Sequence, residues 1–147
     1  MTAPFPHHYE ARLEWRESYP AQTSAYPRPS ILCGPPPQFG GEEGWWSPEH
    51  LLLSAANLCL MTTYFALAAK SQIKIERYRS VAKGVLDRGA EGFVFTGIEL
   101  DVSISVAPAD QARAEALIQS AKKYCIISNS LKPQVTVKAR IGSDKAG

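Results

Sequence analysis

Residues 47–69 read SPEHLLLSAANLCLMTTYFALAA, and this stretch decides the fold. Ser47 has a hydroxyl suited to a helix N-cap, and Pro48 fits the first helical position. Glu49 puts a negative charge where the helix dipole favours one. From there the run is apolar to Ala69, broken chiefly by Asn57 and two threonines. A helix apolar nearly all round belongs in a core. At 23 residues it lies above the lower length limit of about 17 residues for a bilayer span. Its Ser, Asn, Thr and Ala content nevertheless favours a soluble core helix. Leu52, Ala55, Cys59, Thr62, Ala66 and Ala69 follow the i, i+3/i+4 rule, so Cys59 is expected on the buried stripe.

Upstream, Tyr9, Ala11, Leu13 and Trp15 alternate with polar residues, predicting a half-buried strand over 9–18. Residues 19–46 then carry Pro20, Pro27, Pro29, Pro35, Pro36 and Pro37 with Gly34, Gly40, Gly41 and Gly44. Such breakers forbid a helix and confine strands to short edge pieces. This long loop also holds Tyr26, Phe39, Trp45 and Trp46, which suits a wall packed on a core or a partner chain. Gly40-Gly41 reads as a turn delivering the chain into the helix.

Downstream, residues 72–87 read as a strand through Ile73, Ile75, Tyr78, Val81 and Val85, around an expected irregularity. A turn is expected at 88–92. Residues 93–106 then alternate through Ile98, Leu100, Val102, Ile104 and Val106, with Gly97 marking a bulge. A second helix is predicted over 109–124, capped by Asp110, with Ala114, Leu117, Ile118, Ala121 and Cys125 on one stripe. Lys122 and Lys123 suit its C-terminal end. Residues 134–141 alternate as a closing strand. The order predicts an α+β fold with a mostly antiparallel sheet, as one domain over 1–147 with its core within 9–141.

Composition narrows the function classes. The 147 residues are 45% hydrophobic and 20% charged, an ordinary globular balance. A net charge of +2 is too small to argue for nucleic acid or a membrane surface as partner. Residues 1–10 lack an apolar h-region, so no signal peptide is visible and a cytoplasmic location is expected. Three cysteines, Cys33, Cys59 and Cys125, are too few for a secreted disulfide framework. Each predicted helix offers one cysteine on its buried face. If those faces meet, the sulfurs approach disulfide range; the alternative is plain core packing, common for free cysteine.

Gly40-Gly41 followed by Trp46-Ser-Pro-Glu-His-Leu-Leu-Leu-Ser-Ala-Ala-Asn-Leu-Cys59 resembles the glycine pair and Pro-Glu-x-Leu…Cys helix of the OsmC/Ohr family. Ala121-Lys-Lys-Tyr-Cys-Ile-Ile-Ser-Asn-Ser-Leu131 resembles the family's second cysteine motif, with Ile126 in place of the usual proline. The resemblance covers roughly 9–141. It implies a sheet wrapped around two central cysteine-bearing helices in an intertwined homodimer, with active sites at the subunit interface. It also implies a thiol-dependent peroxidase that reduces organic hydroperoxides, with Cys59 peroxidatic and Cys125 resolving. No cofactor is implied; the reductant is a dithiol or lipoyl-type thiol.

By the same resemblance, Glu49 pairs with an arginine that also touches the Cys59 thiolate. The chemistry needs this, because desolvation disfavours a buried thiolate unless a cation stands near it. Arginine stays charged and can hold a carboxylate while donating to sulfur. Arg12, Arg16 and Arg28 lie in the right region; Arg28, in the long loop, is preferred and Arg16 is the alternative. Cys33 has no family counterpart and reads as structural or incidental.

Other chemistries are less well supported. His7, His8 and His50 show no zinc-ligand spacing with the cysteines, and the glycines lack a Walker lysine. Hydrolase or acyl-transferase chemistry at Cys59 lacks a histidine within the matching motifs. A non-enzymatic dimer of the same fold, sensing redox state or binding a hydrophobic ligand, is the remaining alternative.

Overall fold

In the computed structural model, which describes residues 3–143, the alternating segment 9–18 forms a strand only over Arg12–Glu14 (β1). Residues 1–2 and 144–147 of the expected span lie outside the described residues. β1 pairs antiparallel with Ala21–Ser24 (β2), and β2 pairs antiparallel with Ile31–Cys33 (β3). The expected loop over 19–46 therefore contains two strands of a small sheet. Pro20, Pro27, Pro29 and Pro35 bracket them and keep them short, because proline gives no donor to a ladder. β1 is exposed along its whole length, which corrects the half-buried reading.

The rest of the segment stays irregular. A 3-10 turn at Pro37–Phe39 ends at Gly40, whose φ of 83° is the left-handed conformation glycine tolerates. Gly41 follows under tighter constraint: a Cβ there would stand 1.7 Å from the Pro35 carbonyl oxygen. This is the expected turn into the first helix, α1, at Pro48–Lys70. Ser47 caps it, its fully buried Oγ accepting the His50 backbone N–H at 3.2 Å.

The chain forms two compact units divided between Leu51 and Leu52, within the first turns of α1. In the second unit, Ile75–Gly89 (β4) and Gly92–Val106 (β5) form a long antiparallel hairpin. Its register shifts where Val85 faces Gly97 and Leu86 faces Phe95, at the expected bulge. Val135–Gly142 (β6) runs parallel to β5, so the sheet is mixed. Parallel neighbours need a crossover, and Gln111–Tyr124 (α2) supplies it. Ile98, Leu100, Val102, Ile104 and Val106 of β5 are buried in strict alternation.

Three finer expectations need correction. The buried stripe of α1 is Ala56, Leu60, Tyr64 and Ala68, with Cys59 half-buried beside it. A run apolar on every side carries no phase, and Tyr64 helps to set it by donating its hydroxyl to the Ala114 carbonyl at 2.9 Å. The helix is thus buried along one stripe only; Leu58 and Phe65 are exposed. By length and composition α1 is also long and apolar enough to cross a membrane. In β4 the inward positions are Tyr78 and Ala82, while Val81 and Val85 face outward, because the ladder shifts between Ile75 and Arg77. Asp110 occupies the N-cap of α2 without a capping bond, its carboxylate engaged by Arg113 instead.

Candidate active site

The second unit brings two thiols together. Cys59 projects from the middle of α1, half-buried against the core cluster. Cys125 sits where α2 ends and a four-residue helix, Ile126–Asn129 (α3), begins; it is fully buried. Both are free thiols. Burial pushes the Cys125 thiol above its ordinary value. Hydrogen bonding from Ser128 pulls it back, and Cys59 lies close enough to push it up again through hydrogen bonding and charge. The Ser128 hydroxyl donates to Cys125 Sγ at 3.2 Å.

A second hydroxyl belongs to this neighbourhood. Tyr78 reaches inward from β4, its ring 5.6 Å from Phe65 edge-on and 6.4 Å from Tyr64. Its phenol oxygen is buried without a partner in hydrogen-bond geometry. Burial pushes its pKa up to about 12, with Ser80 acting the other way and Tyr64 and Cys125 adding to the rise. Neither Ser128 nor Tyr78 stood out in the sequence as a site residue. For Ser128 the signal was present, three positions after Cys125 in the quoted motif.

In the first unit, Ser47 Oγ also lies 2.6 Å from His50 Nδ1. Glu49 is half-buried, and its Oε2 is buried without a hydrogen-bond partner. Neither expected arginine is paired with it. Arg28 is exposed and donates to the Ala25 carbonyl at 3.4 Å, and Arg16, also exposed, stands 4.9 Å over the Tyr19 ring. Arg12 pairs with Glu10. Cys33 is buried at the end of β3, beside a cavity of about 370 Å³ that Ala11, Leu13, Pro48 and Leu51 help to line. Trp45 packs on Gly34, and Trp46 is exposed, its backbone bridged to Cys33. Among the described residues no group of three or more His, Cys, Asp or Glu could hold a metal ion.

Chemically, two free thiols side by side are suited to dithiol–disulfide interconversion, a two-electron couple. The OsmC-like protein family matches residues 40–140. Peroxiredoxin OsmC of Escherichia coli (strain K12) is 27% identical over 106 residues, covering 72% of this chain and 73% of that protein. An OsmC-like protein of unknown function from Vibrio cholerae superposes with a TM-score of 0.84 at 19% identity, covering 92% of this chain and all of the other. An organic hydroperoxide resistance protein OsmC from Legionella pneumophila superposes with a TM-score of 0.72 at 23% identity, covering 95% and 99%. With the family match spanning most of the chain and the fold shared at this level, the protein belongs to the OsmC-like family.

Proposed function

We propose that this protein is a thiol-dependent peroxidase that reduces organic hydroperoxides to alcohols. The observation that carries the reading is the pair of free thiols, Cys59 and Cys125, meeting in one core. The name of the Escherichia coli relative supports the peroxidase class, and that of the Legionella pneumophila protein supports organic hydroperoxides. The Cys59 thiolate attacks a peroxide oxygen, the O–O bond breaks, and the alkoxide leaves and is protonated to the alcohol. Cys59 is left as a sulfenic acid. Cys125 Sγ then attacks Cys59 Sγ, forming the disulfide and releasing water, and a dithiol or lipoyl-type reductant restores both thiols.

In this proposal Glu49 orients an arginine that keeps Cys59 ionised, with Arg28 preferred and Arg16 the alternative. The unpartnered Glu49 Oε2 supports it, being a buried acceptor that awaits a donor. The working form is a homodimer. Val81, Val85, Leu86, Phe93 and Val94 on the β4–β5 hairpin leave more apolar surface exposed than a lone chain is expected to keep.

Stopped-flow consumption of cumene hydroperoxide by the reduced protein tests the activity. Fast consumption that Cys59→Ser abolishes is expected; equal consumption by the variant overturns the reading. Light scattering at micromolar concentration is expected to return twice the 16.1 kDa chain mass. A monomeric mass contradicts the dimer. A non-enzymatic redox sensor or hydrophobic-ligand-binding dimer is the second reading. The exposed positions of Arg28 and Arg16 favour it, since a thiol without a cation reacts slowly.

A further inference from the structure

The two sulfurs of the proposed couple are not equivalent. Cys125 is fully buried, whereas Cys59 is half-buried on α1. Ser128 attends Cys125 specifically, its hydroxyl donating to Sγ at 3.2 Å. The short helix that carries Ser128 is held in place. The Asn129 backbone N–H donates to the Cys125 carbonyl at 3.0 Å, and Asn129 Nδ2 donates to the Lys123 carbonyl at 2.9 Å. Ser130 Oγ donates to the Ile126 carbonyl at 2.8 Å. The hydroxyl is therefore presented to the sulfur by a turn bonded to the end of α2.

A thiol–disulfide exchange has a defined geometry and a defined leaving group. The incoming thiolate must reach the sulfur it attacks, and the other sulfur departs faster the better its negative charge is stabilised. Here access favours Cys59 and stabilisation favours Cys125. Both influences that lower the Cys125 pKa come from Ser128, its side chain and its backbone, working against burial.

We propose that Ser128 fixes the direction in which the Cys59–Cys125 disulfide is reopened: an external dithiol attacks Cys59 Sγ, and Cys125 Sγ leaves onto the Ser128 hydroxyl. The inference rests on the peroxidase reading for its place in the cycle. In the first step the reductant's thiolate forms a bond to Cys59 Sγ. The Cys59–Cys125 bond breaks, and its electron pair goes to Cys125 Sγ, which then takes a proton. In the second step the reductant's other thiol, as its thiolate, attacks its own sulfur in the mixed disulfide. Cys59 is released as thiolate and the reductant closes to a cyclic disulfide. The dithiol loses two electrons and the protein disulfide gains two. Ser128 is a positioning residue for the leaving sulfur.

The test separates this inference from the peroxidase reading by making the disulfide with diamide as well as with cumene hydroperoxide. The oxidised protein is mixed with excess 2-mercaptoethanol, which cannot complete the second step intramolecularly. It is then quenched with N-ethylmaleimide and its peptides are mapped by mass spectrometry. The expected trapped species carries mercaptoethanol on Cys59 and maleimide on Cys125. Mercaptoethanol on Cys125, or equally on both, overturns the proposal. So does failure of diamide to form the Cys59–Cys125 bridge at all. A bridge formed by diamide but not by hydroperoxide removes the peroxidase reading and leaves this test intact.

A second measurement follows reduction of the bridge by dithiothreitol. Ser128→Ala is expected to slow it about tenfold, the scale of one lost hydrogen bond to a charged group. Ser128→Thr, which keeps the hydroxyl, is expected to restore the rate. No slowing in Ser128→Ala, or a loss that threonine fails to restore, contradicts the assignment.

Discussion

Glu49 is where two accounts of one carboxylate diverge. As an exposed charge in the first turn of α1 it would favour the helix by only ~0.3–1 kcal/mol. Its Oε2 is instead buried with no partner, which suits a group held for an arginine. If it only starts the helix, Glu49→Gln leaves the peroxidase rate and its pH profile as they were. If it orients an arginine for Cys59, the profile moves to higher pH. Each unit of movement lowers the neutral-pH rate by up to about tenfold. Rate against pH for both proteins decides, and an unmoved profile contradicts the activation role. At this scale the sequence marks Glu49, Cys59 and Cys125 by their spaced motifs, whereas no motif fixes which arginine would meet Glu49. The Tyr78 hydroxyl was not legible, because it matters only through the side chains that the fold brings against it, whereas Ser128 lies three positions after Cys125 in the motif.

Elements were legible where their pattern had a phase. The β5 alternation and the bulge at Gly97 are read directly, since one face must be apolar and the glycine interrupts it. α1 existed in the sequence, but its buried stripe did not, because every face was apolar enough to be the inner one. β2 and β3 were hidden among prolines, which mark short strands as readily as loops. The turn between them and α1 gives a test. At Gly41 any Cβ meets the Pro35 carbonyl oxygen at 1.7 Å, and that oxygen belongs to the backbone and cannot swing aside. Gly41→Ala is expected to cost roughly 1–3 kcal/mol in urea unfolding, the range of overpacking. Gly97, with nothing within 4 Å of the added Cβ, is the control. Equal midpoints for Gly41→Ala and Gly97→Ala contradict the close approach.

For the whole molecule, three buried acids set a limit on alkaline stability. Burial raises Tyr64 and Tyr78 from 10.0, Tyr78 to about 12, and raises Cys125 from 9.0. Each neutral form is held more tightly folded than unfolded, so the folded state binds more protons across that interval. Their contribution to stability is fully present below about pH 9. It is lost as pH rises from there through about 12, first through Cys125 and then through the phenols. Unfolding free energy measured by urea titration at successive pH values is expected to fall across this window. Tyr78→Phe is expected to make the fall shallower above pH 10. A flat profile, or the same slope in the variant, contradicts the burial of these groups.

The central claim is that Cys59 and Cys125 form one redox couple, and disulfide mapping reads it most directly. The reduced protein is treated with one equivalent of cumene hydroperoxide, its remaining thiols are blocked, and its peptides are sequenced by mass spectrometry. A Cys59–Cys125 disulfide with Cys33 still blocked as a free thiol is the predicted result. Cys33 linked to either of the other two contradicts the account.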